Sequence, residues 1–182
     1  SNMIEHSKSV RKGIKKSLMV VDMPYQTYRN KNEAYKNAKK IIIETKCDAV
    51  KLEGCNKIKN IIAYLIKKKI PVMGHLGLLP QSVKGKFVSK GKTEREKKKL
   101  LNESKILERL GVFAIVLECI RSDVAKLITN SISIPTIGIG SSVNCDGQVL
   151  VTDDLLGLNK TNIKFVKKFI NLKKNINQGV IK

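Results

Sequence analysis

The chain has 182 residues and a net charge of +21, from 36 lysine and arginine residues against 15 acidic ones. This length suits one domain with a real core, and no apolar stretch reaches the roughly 18 residues of a membrane-spanning helix. The charge invites a nucleic-acid partner, but only five basic residues are arginine and only eight residues are aromatic, which disfavours a specific base-stacking surface. Runs such as Lys67–Lys69 and Lys97–Lys99 are typical of solvated helix faces.

The amino terminus and the cysteines favour a cytoplasmic protein. Ser1-Asn2 before Met3 has the form of a scar left by tag cleavage, and no signal peptide follows it. None of the cysteines has Cys-x-x-Cys spacing, which predicts reduced thiols rather than a disulfide framework or a zinc site. They are Cys47, Cys55, Cys119 and Cys145.

The first half of the chain alternates short apolar runs with segments of helical periodicity. A basic helix is predicted at Ile4–Lys16, and the later helices carry apolar residues three and four positions apart. The elements that follow are strand Leu18–Val21, helix Asn32–Lys46, strand Ala49–Leu52, helix Lys57–Lys69 and strand Val72–Gly74.

The second half begins with a long irregular stretch, Leu76–Lys92, and loops of this length inside compact domains are often functional. Thr93 is predicted to cap the next helix, with Glu96 at the capping-box position and Gly111 as its stop. The predicted elements are helix Thr93–Leu110, strand Phe113–Leu117, helix Ser122–Asn130, strand Thr136–Ile139, strand Val149–Thr152 after a turn at Asp146-Gly147, and helix Ile163–Asn175.

The alternation of strands and helices predicts a parallel α/β architecture whose strands end in polar or glycine-rich residues. The carboxyl ends of parallel strands form the active face of such folds. Several carboxylates and a histidine would therefore meet at one site. Six strands are counted, whereas a closed (β/α)8 barrel has eight and usually about 250 residues. The pattern leaves two architectures open: a barrel lacking two βα units before Met3, and an open six-stranded sheet.

Taken singly, the polar residues at the strand ends have ordinary structural explanations. Asp22 could cap a turn or helix, and Glu53 and Glu118 could pair with lysines. An isolated histidine such as His75 is more often structural than catalytic. Lys51 and Glu53, however, are two positions apart on one strand and so share a face, as a common site requires.

Seven segments in order carry a resemblance to one family. They are Val20–Tyr25, Ala49–Gly54, Pro71–Leu78, Pro80–Val83, Phe113–Cys119, Ile134–Gly140 and Cys145–Val151, closed by Leu156-Gly157-Leu158. In content and order they resemble ketopantoate hydroxymethyltransferase (3-methyl-2-oxobutanoate hydroxymethyltransferase). The match spans residues 4 to about 170, so chance agreement is not a serious competitor.

The resemblance implies a (β/α)8 TIM-barrel fold of the phosphoenolpyruvate mutase/isocitrate lyase superfamily, with about six of eight βα units in one partial domain over residues 1–182. It implies transfer of a hydroxymethyl group from 5,10-methylenetetrahydrofolate to α-ketoisovalerate, giving ketopantoate for pantothenate and coenzyme A synthesis. It also implies a Mg²⁺ cofactor and a homo-oligomer, since the family forms large rings.

The resemblance assigns a role to each matching residue. Asp22 would bind Mg²⁺ directly and contact the substrate, and Glu53 would hold the metal through water. Lys51 would reach the substrate's oxygens, and His75 would hydrogen-bond near the substrate. Glu118 would be the general acid/base that removes the C3 proton of the keto acid.

The chain also departs from the family pattern. Two initial βα units, which carry a Gly-Asp-Ser segment with a metal-binding Asp and a substrate-binding Ser, have no counterpart in it. Cys55, Arg121, Ser141-Ser142 and Asp153 replace the Gly, Pro, Ala-Gly and His that are usual. The alternative to an active enzyme is a catalytically silent remnant or a fold-only partner subunit. A basic nucleic-acid-binding module is a third hypothesis.

Overall fold

A computed structural model describes residues 2–83, 88–159 and 163–181 of the chain. The chain divides into two compact units, Ser1–Gly147 and Gln148–Lys182. Within the described residues, no helix is both long enough and apolar enough to cross a membrane.

The first unit alternates parallel strands with helices. Strands β1 to β5 pair in parallel with their neighbours in chain order, and β6 (Gly147–Gln148) follows β5 in the sheet. The elements before β6 are α1 (Asn2–Gly13), β1 (Val20–Asp22), α2 (Lys31–Thr45), β2 (Ala49–Glu53), α3 (Lys59–Lys67), β3 (Val72–Gly77), α4 (Glu94–Leu110), β4 (Ala114–Glu118), α5 (Ser122–Thr129) and β5 (Thr136–Ile139).

The order of the strands decides between the two architectures that the sequence left open. The order in the sheet is the same as the order in the chain, from β1 to β6, so every crossover advances in one direction. A doubly wound sheet reverses direction at a switch point, whereas a one-way progression is the arrangement of a (β/α)8 barrel. The sheet is therefore part of a barrel wall, and β1 forms one of its edges.

The core explains why these segments become strands and helices. Val50 and Leu52 of β2 and Ile115 and Leu117 of β4 are fully buried, and they belong to one apolar cluster that includes the inner faces of the helices. Burying each such side chain stabilises the fold by about 1.5–3 kcal/mol. The residues between them, such as Lys51, point to the opposite face of the sheet.

The predicted signals at the ends of α4 are confirmed. The Thr93 hydroxyl accepts a hydrogen bond from the Glu96 N–H (3.2 Å). The Glu96 carboxylate in turn accepts bonds from the Gly91 and Lys92 N–H groups, two residues and one residue before the cap. Gly111 ends the helix in the left-handed conformation, with φ 91°. Local side-chain chemistry therefore fixes the start of the helix that packs behind β3 and β4.

The prediction of a strand at Val149–Thr152 is wrong. The sixth strand is the shorter Gly147–Gln148, and Thr152 begins a helix, α6 (Thr152–Leu155). Val149 and Val151 are 45% and 51% exposed, so their alternation does not mark a buried face.

Two further predicted boundaries also differ. The last helix, α7, spans Leu172–Val180 rather than Ile163–Asn175, because the Asn171 side chain accepts from the Lys174 N–H and starts the helix there. Strand β3 continues to Gly77, so the irregular stretch begins later than expected. Residues 84–87 of that stretch lie outside the described residues.

Gly77 is the one position of β3 where a side chain would collide with the next strand. It lies beside Glu118 in the sheet register and has a φ of 99°. A Cβ atom there would lie 2.2 Å from the Glu118 carbonyl oxygen and 2.6 Å from Ile120 Cγ1. Glycine therefore lets the ends of β3 and β4 approach each other.

Gly77→Ala is expected to lower the free energy of unfolding by about 2–4 kcal/mol, because it adds a strained φ and a backbone clash. Urea denaturation measures the change. Gly13→Ala is the matched control, since nothing lies within 4 Å of a Cβ at that helix end. A Gly77→Ala protein as stable as the unchanged chain would contradict the close approach.

Candidate active site

Side chains from four successive strands converge at the carboxyl end of the sheet. Asp22 is the last residue of β1, Glu53 the last of β2 and Glu118 the last of β4. Lys51 lies two residues before Glu53, and His75 lies in the middle of β3. All five residues predicted from the sequence are therefore brought to one edge.

The register of the strands places these side chains on a common face. Asp22 pairs with Lys51, and Glu53 pairs with His75. His75 in turn pairs with Val116, two residues before Glu118. In-register neighbours in a sheet point the same way, and so do residues two apart on one strand. The five side chains thus share the face opposite the helix-packed core.

The Lys51 ammonium joins two of the strands. Its Nζ lies 2.8 Å from Asp22 Oδ2 and 3.0 Å from His75 Nδ1. An ammonium group only donates hydrogen bonds, so Nδ1 of His75 must be the acceptor. His75 is therefore held as the neutral tautomer with its hydrogen on Nε2.

The Nε2 atom of His75 lies beside Glu118, 3.2 Å from Oε2. The angle is not that of a hydrogen bond, and Nε2 has no hydrogen-bond partner among the described residues. His75 is 2% exposed, whereas the Glu118 side chain retains 18% of its exposure. Glu118 is thus the member of the pair that a ligand can reach.

Glu53 is a buried carboxylate. It accepts hydrogen bonds from the Gln81 N–H at 3.2 and 3.4 Å, and its Oε1 lies 3.9 Å from His75 Nδ1. Burial raises the pKa of Glu53, while the Gln81 N–H and the positive charge of Lys51 act in the opposite direction. Its negative charge is therefore only partly compensated by the surrounding protein.

Three buried side-chain atoms in the described part of the chain lack a hydrogen-bond partner, and all three belong to this site. They are Asp22 Oδ1, His75 Nε2 and Gln81 Oε1. An unsatisfied buried polar atom costs about 1–3 kcal/mol. One donor and two acceptors held in this way are suited to a polar ligand that brings the missing partners.

Gln81 also belongs to the site, although its sequence position predicted no role for it. Its N–H holds Glu53, and its side-chain amide donates to the Met23 carbonyl oxygen at 3.2 Å. It lies in the irregular stretch after β3, where no periodicity marks inward-facing positions. The only sequence signal was its place in the Pro80–Val83 segment of the family resemblance.

The described residues offer a partial site for Mg²⁺. They contain no group of three or more His, Cys, Asp or Glu side chains suited to a metal ion. Mg²⁺ usually keeps several waters and takes only one or two protein carboxylates, together with substrate oxygens. The unpartnered Oδ1 of Asp22 is an oxygen ligand of this kind. The residues therefore fit an ion held directly by Asp22 and through water by Glu53.

A model of the family described as ketopantoate hydroxymethyltransferase matches residues 1–182 of the chain. The chain belongs to this family. The 3-methyl-2-oxobutanoate hydroxymethyltransferase of Pelagibacter ubique is 64% identical over 180 residues, covering 99% of this chain and 70% of that protein. The enzyme of the same name from Anaplasma marginale is 45% identical over 181 residues, covering 98% and 65%. The family predicted from seven segments is confirmed.

Solved structures confirm the predicted fold. A phosphonopyruvate hydrolase crystallised with oxalate and Mg²⁺ has a TM-score of 0.54 to this chain at 10% identity, over 75% of this chain and 50% of that protein. At this identity the similarity shows the fold alone. The ketopantoate hydroxymethyltransferase family member is thus a partial barrel of the (β/α)8 type.

Glu53→Gln is expected to stabilise the protein at neutral pH. The pKa of Glu53 is higher in the folded state than its ordinary value of 4.5. Protonated Glu53 therefore contributes its full stability below pH 4.5, and this contribution is lost as the pH rises through the pKa of the folded state. In urea unfolding from pH 4 to pH 8, the free energy of unfolding of the variant should increase relative to that of the unchanged chain as the pH rises. Glu94→Gln, at an exposed position, is the control. A Glu53→Gln protein that is less stable at pH 7 would contradict this prediction.

Proposed function

We propose that the chain is a 3-methyl-2-oxobutanoate hydroxymethyltransferase, which transfers a hydroxymethyl group from 5,10-methylenetetrahydrofolate to α-ketoisovalerate. The product is ketopantoate, for pantothenate and coenzyme A synthesis. The observation that carries the proposal is the convergence of Lys51, His75 and Glu118 beside three unpartnered buried polar atoms. The relative from Pelagibacter ubique that bears this name supports it.

The unpartnered atoms also favour an active enzyme over a catalytically silent remnant. Each costs the folded protein stability when no ligand is present. The proposed reaction gives these atoms a use, because α-ketoisovalerate brings acceptor oxygens and a Mg²⁺ ion brings a partner for a carboxylate.

The keto acid presents a carboxylate and a keto oxygen, and both are acceptors. The Lys51 ammonium already donates to Asp22 and His75, and its third hydrogen remains for a substrate oxygen. Mg²⁺ held by Asp22, and through water by Glu53, would act as a Lewis acid on the keto oxygen. Lys51 would thus fix the end of the substrate that carries the developing negative charge.

Glu118 would perform the proton transfer. Its carboxylate takes the proton from C3, and the electron pair of that C–H bond moves into the keto acid to give the enolate. His75 Nε2 lies 3.2 Å from Glu118 Oε2, and its N–H would donate to this carboxylate after a rotation of either side chain. Water would hydrolyse the methylene bridge of the folate, so that both C–N bonds break, tetrahydrofolate leaves and the methylene carbon is released as formaldehyde. C3 of the enolate would add to the formaldehyde carbon, and the resulting alkoxide would take back the proton from Glu118 to give the hydroxymethyl group.

The first half of this reaction needs no folate and can be followed alone. In D₂O with Mg²⁺, proton NMR of α-ketoisovalerate should show loss of the C3 proton faster than with Mg²⁺ alone. Glu118→Gln should slow this exchange by about 100-fold or more, the range expected for loss of a general base. Glu94→Gln, which changes the charge equally on the surface of α4, is the matched control.

Removal of the metal tests the role of Asp22 in the same assay. Chelation should abolish the exchange, and Asp22→Asn should raise the Mg²⁺ concentration needed for half of the maximal rate. Binding of Mn²⁺, measured by water-proton relaxation, should weaken in parallel. If the folded chain shows no exchange at any Mg²⁺ concentration, the proposal is wrong and the silent-remnant alternative is favoured.

We further propose that the protein acts in the cytoplasm as a homo-oligomer. The cysteines are unpaired, which supports a reducing compartment. Among the described residues β1 pairs with no strand except β2, so its outer edge is open to another chain.

Light scattering coupled to size-exclusion chromatography is expected to give a mass that is a multiple of the chain's own. Open strand edges tend to be covered in the native state, and a second copy would cover this one. A single-chain mass at micromolar concentration would rule out the oligomer.

A further inference from the structure

A large cavity adjoins the candidate active site within the first unit. Its volume is about 830 Å³, and Glu53 is one of its lining residues. Cavities of about 300–1,000 Å³ hold ligands of drug size. α-Ketoisovalerate, with eight non-hydrogen atoms, leaves most of this space unfilled. The cavity therefore has room for a second, larger molecule next to the keto acid.

The lining is mostly apolar but contains two buried carboxylates, Glu53 next to the keto-acid site and Glu103. Glu103, on α4, is 7% exposed. Its Oε1 accepts a hydrogen bond from Asn56 Nδ2 (2.7 Å) and lies 4.0 Å from Lys99 Nζ. Its Oε2 makes no hydrogen bond or ion pair with any residue in the described ranges. Oε2 is not among the fully buried atoms that lack a partner, so a ligand in the cavity can reach it.

The surroundings of Glu103 favour neither its charge nor a metal. Burial raises the pKa of Glu103, and Lys99 opposes this only in part. Burial, with the Glu103 charge, also raises the pKa of the adjacent Cys55 thiol to about 11, so Cys55 is neutral at physiological pH. Glu103 is thus a carboxylate whose charge the protein only partly compensates, beside a neutral thiol. A ligand with N–H donors matches it.

We propose that this cavity binds the reduced pterin ring of the folate co-substrate, with Glu103 as its anchor. The inference rests on the proposed function. The pterin ring carries an amino group next to a ring N–H, and these two parallel donors match the two oxygens of a carboxylate. Tyr25 and Tyr28 also line the cavity and offer aromatic faces against which a flat ring can pack.

The rest of the folate fits the remainder of the cavity. Lys57 and Lys90 line it and form no ion pair with the residues that the structure describes. Their ammonium groups suit the carboxylates of the glutamate tail. Glu53 borders both the cavity and the keto-acid site, so a folate in this position brings its methylene carbon toward C3 of the keto acid.

Binding of tetrahydrofolate, measured by anaerobic calorimetry, tests the assignment. Glu103→Gln should weaken its binding by at least tenfold, while Glu94→Gln on the same helix should not. Glutamine keeps an acceptor for Asn56, and urea unfolding will show whether the variant retains the native fold. Lys57→Gln provides an independent test. It should weaken the binding of tetrahydrofolate but leave unchanged the binding of tetrahydropterin, which has no glutamate tail.

The outcomes separate this inference from the proposed function. Equal affinity of Glu103→Gln and the unchanged chain for tetrahydrofolate, or no binding by the unchanged chain, would overturn the cavity assignment even if C3 exchange is observed. Loss of binding in Glu103→Gln without any C3 exchange in the unchanged chain would support the cavity and reject the proposed reaction. If Glu103→Gln does not fold, an equal effect of Lys57→Gln on both ligands would overturn it.

Discussion

The contact of Lys51 with Asp22 and His75 is the interaction on which the site depends. The Lys51 side chain is only 17% exposed, and Asp22 pairs with its ammonium at 2.8 Å. The same ammonium makes Nδ1 of His75 an acceptor and so leaves the ring hydrogen on Nε2, the atom 3.2 Å from Glu118 Oε2. One cation thereby sets the arrangement of three strands. The core beneath it, with Val50 and Leu52 on the opposite face of β2, keeps that cation from moving.

The site is assembled at the expense of local stability. Asp22 Oδ1 and His75 Nε2 have no partners, and Glu53 and Glu103 are carboxylates in places that disfavour their charge. The loss of stability at these positions is offset by the apolar side of the sheet, where Ile115 and its neighbours are fully buried. The division is a consequence of strand alternation, which gives every strand one face for folding and one for chemistry.

The sequence predicted the barrel-type order of elements and all five side chains at the strand ends, because strand ends and family segments are local patterns. The capping of α4 by Thr93 was equally local. The strand Val149–Thr152 was wrong because hydrophobic alternation says nothing about whether a face is covered. Gln81 and Glu103 were missed for a related reason. Gln81 lies in a loop without periodicity. Glu103 lies on the inward side of α4, a helix whose sequence otherwise predicts exposure to solvent. Distances such as 3.2 Å between His75 and Glu118 depend on register, which no local pattern encodes.

The open edge of β1 has a consequence for how the protein responds to its substrates. Asp22 closes that strand, so the residue proposed to hold the metal belongs to the same three-residue segment that faces any chain docking there. A chain that pairs with β1 and a ligand held by Asp22 would both act on this segment, so each event would influence the other through it. Assembly and ligand binding would then be thermodynamically linked, and the link must be reciprocal. Substrate would tighten the assembly to the same degree that assembly raises the affinity for substrate.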